Sequence, residues 1–305
     1  MRRVPRRSPQ APPPPMPELP EVETMRRGIA HLAGRTISGV AFPRGRVRPI
    51  RVVPRPELVA ARLAGGRIAA VERYGKRVAI AIDAAEGSGA AGRRWLVIEP
   101  RMTGLLLVSD PPSSEHVRVR IDFEPRRGRP PEGLTFWDQR GLGTVRLVDA
   151  AGLARACGDA VGPDGLSIGG DALHERLSRS RRAIKVALLD QRAVAGIGNI
   201  YAAEILHRCG IHPRTPCRRL RRPTWDRLAA TARGLLAEAV RLEGSSIGDE
   251  LYRTPTSRLG RFQRRHRVYG LAGTACRACG TTIERIVQAQ RSTFFCPCCQ
   301  PRSAR

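Results

Sequence analysis

Met16-Pro17-Glu18-Leu19-Pro20-Glu21-Val22-Glu23-Thr24 opens a helical repeat of apolar residues, Val22, Met25, Ile29 and Leu32. Pro20 suits a first helical position, where a missing N–H leaves no partner unsatisfied. Glu21 and Glu23 complement the positive end of the helix dipole, and Gly34 can close the far end. Met16 before a small residue also reads as a translation start whose methionine is trimmed. Pro17 would then be the amino terminus, with a free secondary amine that can attack an electrophilic carbon and form an iminium. Glu18, its neighbour, is placed to move a proton.

Upstream, residues 1–15 are rich in proline and arginine, hold no apolar period and predict disorder. With them attached, the Pro17 nitrogen is a tertiary amide and no nucleophile, so the reading favours Met16 as the working start. Downstream, short runs at 67–74, 77–83, 95–99, 105–109, 116–124, 134–138 and 144–148 are separated by turn residues. Val117, Val119, Ile121 and Phe123 alternate with Arg118, Arg120 and Asp122, which predicts one buried and one solvated face. Seven or so such strands behind one helix predict an antiparallel β-sandwich.

Glycines crowd residues 150–170 like a linker, and helical spacing follows at 183–190, from Asn199 to Cys209, and from Trp225 through Ala239. Near the C-terminus, Cys276-x2-Cys279 and Cys296-x2-Cys299 stand sixteen residues apart, the spacing of a tetrahedral structural zinc site. Four thiolates leave no open position for a catalytic water, and forty residues scarcely fold without such a staple. Cys298 reads as a spectator, although a register using it stays open. The chain is therefore α+β: a β-sandwich with a leading helix over 16–150, a helical domain over 151–265 and a zinc finger over 266–305, for which the family resemblance set out below implies a β-hairpin.

The formal net charge of +27 favours a polyanionic partner, whose phosphates would make binding salt-dependent. Only Lys76 and Lys185 are lysines among the 54 basic residues, leaving 52 arginines, so a lysine here is a departure from habit. No run of eighteen apolar residues suggests a membrane span. The clustered cysteines and the lack of a secretory core point to a reducing cytoplasm.

Pro-Glu-Leu-Pro-Glu-Val-Glu-Thr resembles the N-terminus of the bacterial formamidopyrimidine-DNA glycosylases, which excise oxidised purines. Gly196-Ile197-Gly198-Asn199-Ile200-Tyr201 is similar to that family's helix–two-turn–helix signature, and Gln290-Arg291-Ser292-Thr293-Phe294-Phe295 to its zinc-finger hairpin. The matches run from Met16 to Cys299 in family order. The resemblance implies a bifunctional glycosylase and AP lyase, monomeric, acting on double-stranded DNA with damaged bases or abasic sites, with one structural zinc. It implies Pro17 as nucleophile, Glu18 as proton shuttle, and Lys76 and Arg291 as acids or phosphate anchors. It further implies that Met102 fills the space of the flipped nucleotide, that Arg140 faces the orphaned base, that Leu142 wedges the stack and that Asn199 holds a phosphate.

Three departures stand out. Gly141 and Leu142 replace the family's second arginine and aromatic wedge, Glu99-Pro100-Arg101 replaces His-Leu-Gly before the methionine, and Ser114 takes the place of a histidine. These bear on lesion search and opposite-base choice. The family's lesion-covering loop falls at 244–266, where the match is loose. Two rivals stay open. An endonuclease VIII-type enzyme for oxidised pyrimidines is disfavoured by Pro-Glu-Leu-Pro-Glu in place of Pro-Glu-Gly-Pro-Glu. The other is a non-catalytic binder of damaged DNA that keeps residues 1–15.

Overall fold

The computed structural model describes residues 16–43, 45, 47–85, 92–158, 161–248 and 251–302. The extension 1–15 lies outside them. Helix α1 (Leu19–Ile29) forms as its period predicts: Val22, Met25 and Ile29, with Leu32 just beyond, are fully buried. Gly34, at φ +84°, turns the chain and donates its N–H to the Ile68 carbonyl.

The strands are β1 (Ile37–Ala41), β2 (Arg51–Val53), β3 (Arg67–Tyr74), β4 (Arg77–Asp83), β5 (Arg93–Glu99), β6 (Gly104–Leu107), β7 (Val117–Phe123), β8 (Gly133–Asp138) and β9 (Thr144–Val148), with α2 (Pro56–Leu63) after β2. They make two sheets, β1-β7-β8-β6 and β2-β9-β5-β4-β3. Every pairing is antiparallel except the short β2–β9 contact. The inner faces and α1 share one core, where Val78, Ile80 and Ile82 meet Leu105, Phe136 and Trp137. β1, β2 and α2 escape the sequence reading because residues 37–63 carry no strong period.

β4 is buried on both faces. Ala79 and Val97 pack outward against Cys157, brought there by α3 (Ala150–Leu153) and a wide turn at Ala154–Gly158. The expected linker is thus partly helical and caps the sheet. The alternation along β7 predicts Arg118 on the solvated face, yet it is 6% exposed. The β7–β8 register shifts between Val117 and Val119, and Arg118 turns inward to donate to the Asp138 carbonyl at 2.8 Å. A bulge of this kind re-aims one side chain by leaving its residue unpaired in the ladder.

The second half contains α4 (Gly170–Leu177), α5 (Ile184–Leu188), α6 (Asn199–Arg208) and α7 (Arg222–Arg241) around Trp225, Leu228 and Leu236. Leu19 of α1 belongs to this second core, so the first turn of α1 joins the two halves. The hairpin β10 (Glu284–Gln288) and β11 (Arg291–Phe295) adds Ile283, Phe294 and Cys296 to the same core. The finger is therefore seated on the helices rather than hung from them. Part of the expected covering loop lies on the sandwich: Val108 donates to the Pro255 carbonyl at 2.9 Å and Pro255 packs on Gly28. Among the described residues no helix is long and apolar enough to cross a membrane.

Candidate active site and metal centre

The start of α6 leaves backbone N–H groups without intrahelical partners. Its N-cap, Gly198, has no side chain to satisfy them. The carboxylate of Glu18 does so from the other half of the chain, accepting from Ile200 N–H at 2.8 Å and Tyr201 N–H at 3.3 Å. An anion at a helix N-terminus gains from both the hydrogen bonds and the dipole. A Cβ on Gly198 would lie 2.3 Å from Glu18 Cδ and 2.6 Å from Lys76 Nζ, so both groups converge on this one glycine. The turn between β3 and β4 delivers Lys76 there.

Glu18 is 2% exposed and Pro17 is buried beside it. Burial pushes the Glu18 carboxyl above its ordinary range, opposed by the charge of Lys76 and the α6 amides. Glu21 is pushed up to about 7, first by burial and then by the nearby Glu18 charge. It accepts from Glu18 N–H at 2.9 Å, Tyr201 O–H at 2.5 Å and Ser245 N–H at 2.8 Å. Ser245 Oγ in turn meets His266 Nε2 at 3.1 Å. Two like-charged carboxyls in one dry site favour retention of a proton between them. Lys76 is half-buried, and its ammonium is lowered by burial, with Glu18 opposing and Arg291 adding to the drop.

Lys185, on α5, is the residue that sequence reasoning passed over. It is fully buried, donates to Asn199 Oδ1 at 2.5 Å and is lowered to about 8, by burial first, against the charge of Glu18. Its rarity as a lysine was the available signal. Asn199 is the first residue of α6 rather than its cap, and its Nδ2 donates to the Ser292 carbonyl at 3.0 Å. The neighbouring Arg291 is exposed, and its charge reaches both lysines. Pro17, Glu18, Lys76, Asn199 and Arg291 thus gather where sandwich, helices and finger meet.

Met102 and Arg140 occupy two loops stitched together by Thr103. Its hydroxyl donates to Asp138 Oδ1 at 2.5 Å and accepts from Arg140 N–H at 3.0 Å. Asp138 Oδ2 also accepts from Gly143 N–H at 2.7 Å, which fixes both ends of the turn. Arg140 is exposed and Leu142 half-buried. Gly141 has φ +61°, and a Cβ there would strike the Arg48 carbonyl at 2.3 Å. An arginine cannot occupy that position in this loop geometry. A cavity of about 530 Å³ between Phe42, Ile50 and Arg118 holds none of these groups.

Cys276, Cys279, Cys296 and Cys299 bring their sulfurs within 4.8 Å of one another. Individual Sγ···Sγ separations are 3.4, 3.5 and 3.9 Å, close to the roughly 3.8 Å edge of a tetrahedron with zinc–sulfur bonds of about 2.3 Å. Cys298 is exposed and outside the cluster, as its spectator role requires. Donor type, count and spacing fit one structural zinc.

Comparison with known proteins finds family matches between residues 16 and 302. Residues 16–145 match the formamidopyrimidine-DNA glycosylase N-terminal domain, 161–250 its H2TH domain, and 273–302 the zinc finger found in FPG and IleRS. The formamidopyrimidine-DNA glycosylase of Chloroflexus aurantiacus is 44% identical over 288 residues, covering 92% of this chain and 96% of that protein. The MutM (Fpg) crystal structure from Thermus thermophilus superimposes with a TM-score of 0.78 at 38% identity, covering 94% of this chain and 100% of that one. A Lactococcus lactis Fpg mutant, solved with Fapy-dG-containing DNA, does so at 0.78 and 30%, with 94% and 100% covered. With three family domains in order and relatives this similar over nearly the full length, the chain belongs to the formamidopyrimidine-DNA glycosylase family.

Proposed function

We propose that the protein excises oxidised purines, 8-oxoguanine and formamidopyrimidines, from duplex DNA and then cleaves the strand at the abasic site. The observation that carries this is the buried Glu18 carboxyl, of the residue that follows Pro17 in the chain, held by the first amides of α6 with Lys76 beside it. In this reading the Pro17 amine attacks C1′ of the damaged nucleotide, and the base departs with the glycosidic electron pair. Glu18, neutral when protonated, gives its proton to the opening sugar and recovers one later. Loss of a proton from C2′ of the iminium expels the 3′ phosphate, and a second elimination expels the 5′ phosphate. Lys76 and Arg291 hold those phosphates as they leave. Extruding the base costs a few kcal/mol, offset by contacts from Met102, Arg140 and Leu142.

The zinc is structural: Cys276, Cys279, Cys296 and Cys299 hold it, and it fixes the hairpin that presents Arg291. The chemistry requires a free Pro17 nitrogen, so the active form begins there. Borohydride should trap a covalent adduct between protein starting at Pro17 and an oligonucleotide carrying 8-oxoguanine opposite cytosine. Protein confirmed by mass to keep residues 1–15 should bind the same duplex and form no adduct through Pro17, because its nitrogen lone pair is tied up in an amide. Efficient trapping by the extended form would overturn the mechanism.

A further inference from the structure

The four sulfurs of the zinc site do not share one environment. Cys279 is exposed, with the polar groups of Thr281 close enough to favour its thiolate. Cys299 is half-exposed, and Cys296, though buried, accepts from Cys299 N–H at 3.4 Å. Cys276 is 3% exposed, and its sulfur has one nitrogen partner among the described residues: His207 Nε2, at 3.7 Å. His207 comes from the last turn of α6, outside the finger, and is itself 5% exposed. Its Nδ1 has no partner among the described residues.

A thiolate on zinc keeps much of its negative charge, and a buried one cannot be solvated by water, so its donor has to come from protein. We propose that His207 is that donor, holding the Cys276 thiolate through an Nε2–H···Sγ hydrogen bond and making α6 part of the zinc site. The opposite tautomer would aim a ring lone pair at the thiolate and leave a buried N–H on Nδ1 with no acceptor. Because α6 begins with the amides that hold Glu18 and with Asn199, one rigid helix then runs from the metal to the candidate active site. His207 is a positioning residue in this scheme. It touches neither the metal nor DNA.

The test uses the whole zinc-loaded protein. His207→Phe keeps the ring packing and removes the donor. Zinc affinity, measured by competition with a chromogenic chelator, should fall about 10- to 100-fold. In the cobalt-substituted variant the sulfur-to-metal charge-transfer band should move to lower energy, because an unbonded thiolate is the better electron donor. Packing alone would not move that band. Affinity within twofold of the parent with an unshifted band would overturn the proposal. Should His207→Phe not fold, nitrogen-15 NMR of the parent decides: a ring protonated at Nε2 supports the hydrogen bond, and one protonated only at Nδ1 refutes it.

Discussion

Gly198→Ala puts the central geometry under direct strain. At φ −131° and ψ −157° the backbone is extended and accepts alanine without penalty. Restricting the unfolded chain would even contribute about 0.4–1 kcal/mol to stability. The added methyl, however, would lie 2.3 Å from Glu18 Cδ, 2.5 Å from its Oε1 and 2.6 Å from Lys76 Nζ. All three are ends of side chains that can swing aside, so the fold should survive. The carboxylate cannot stay on the Ile200 and Tyr201 amides. Two hydrogen bonds to a charged group, each about 1.5–3 kcal/mol, then cease to hold it in place. Converted to rate, losing both, about 3–6 kcal/mol, costs on the order of 10²- to 10⁴-fold. Single-turnover excision of 8-oxoguanine should fall by at least about 10²-fold, with duplex affinity within a few-fold and a protein that still folds, at a somewhat lower melting temperature. A folded Gly198→Ala protein that excises at the parental rate would show that the Glu18 position is not what the site depends on.

Three further outcomes are expected. Chelation should abolish binding to an abasic-site duplex while the helical circular dichroism of α4–α7 largely persists, since folding of the finger is coupled to its metal; full affinity after chelation would contradict the role given to the hairpin. Leu142→Phe should raise excision or leave it unchanged by restoring an aromatic wedge, and a large loss in a stably folded variant would mean the Asp138–Gly143 turn works differently. The Glu21 carboxyl rises from an ordinary 4.5 to about 7 on folding, so its stabilising contribution is complete below about pH 4.5 and is lost as pH climbs toward 7. Glu21→Gln, which cannot ionise, should therefore gain on the parent across that window by up to about 3 kcal/mol in urea denaturation, and a pH-independent difference would refute the assignment.

Much of this organisation was legible in the sequence because its signals are local. The α1 period, the alternation along β7 and the cysteine spacing each specify a neighbourhood without reference to the rest of the chain. The zinc cluster and the burial of Val22, Met25 and Ile29 follow directly. What escaped depends on contacts far apart in sequence. Glu18 meets its amide partners 182 residues downstream, and no periodicity announces that. Arg118 departs from the strand alternation because a bulge at its own position turns it inward. Lys185 fits the apolar pattern of its helix only because Asn199 and the Ser292 carbonyl receive its ammonium. His207, in a helix whose start matched a family signature, carried no sign of facing a cysteine 69 positions later.

The placement of the two lysines has a practical consequence for handling the protein. Arginine does not react with acylating reagents, so the targets for amine-selective chemistry are Lys76, Lys185 and the α-amino group. Both lysine amines feel the charge of Glu18, and both are lowered from their ordinary values by burial, Lys185 to about 8, which increases the share of the reactive free base. A dye, biotin tag or immobilisation resin aimed at surface amines would therefore react at the amino terminus or at Lys76 in the candidate active site, since Lys185 is buried. The same bias makes such a reagent a probe of that site: occupancy by DNA could be followed through the protection of Lys76, with the α-amino group and the buried Lys185 as the other amines in the molecule.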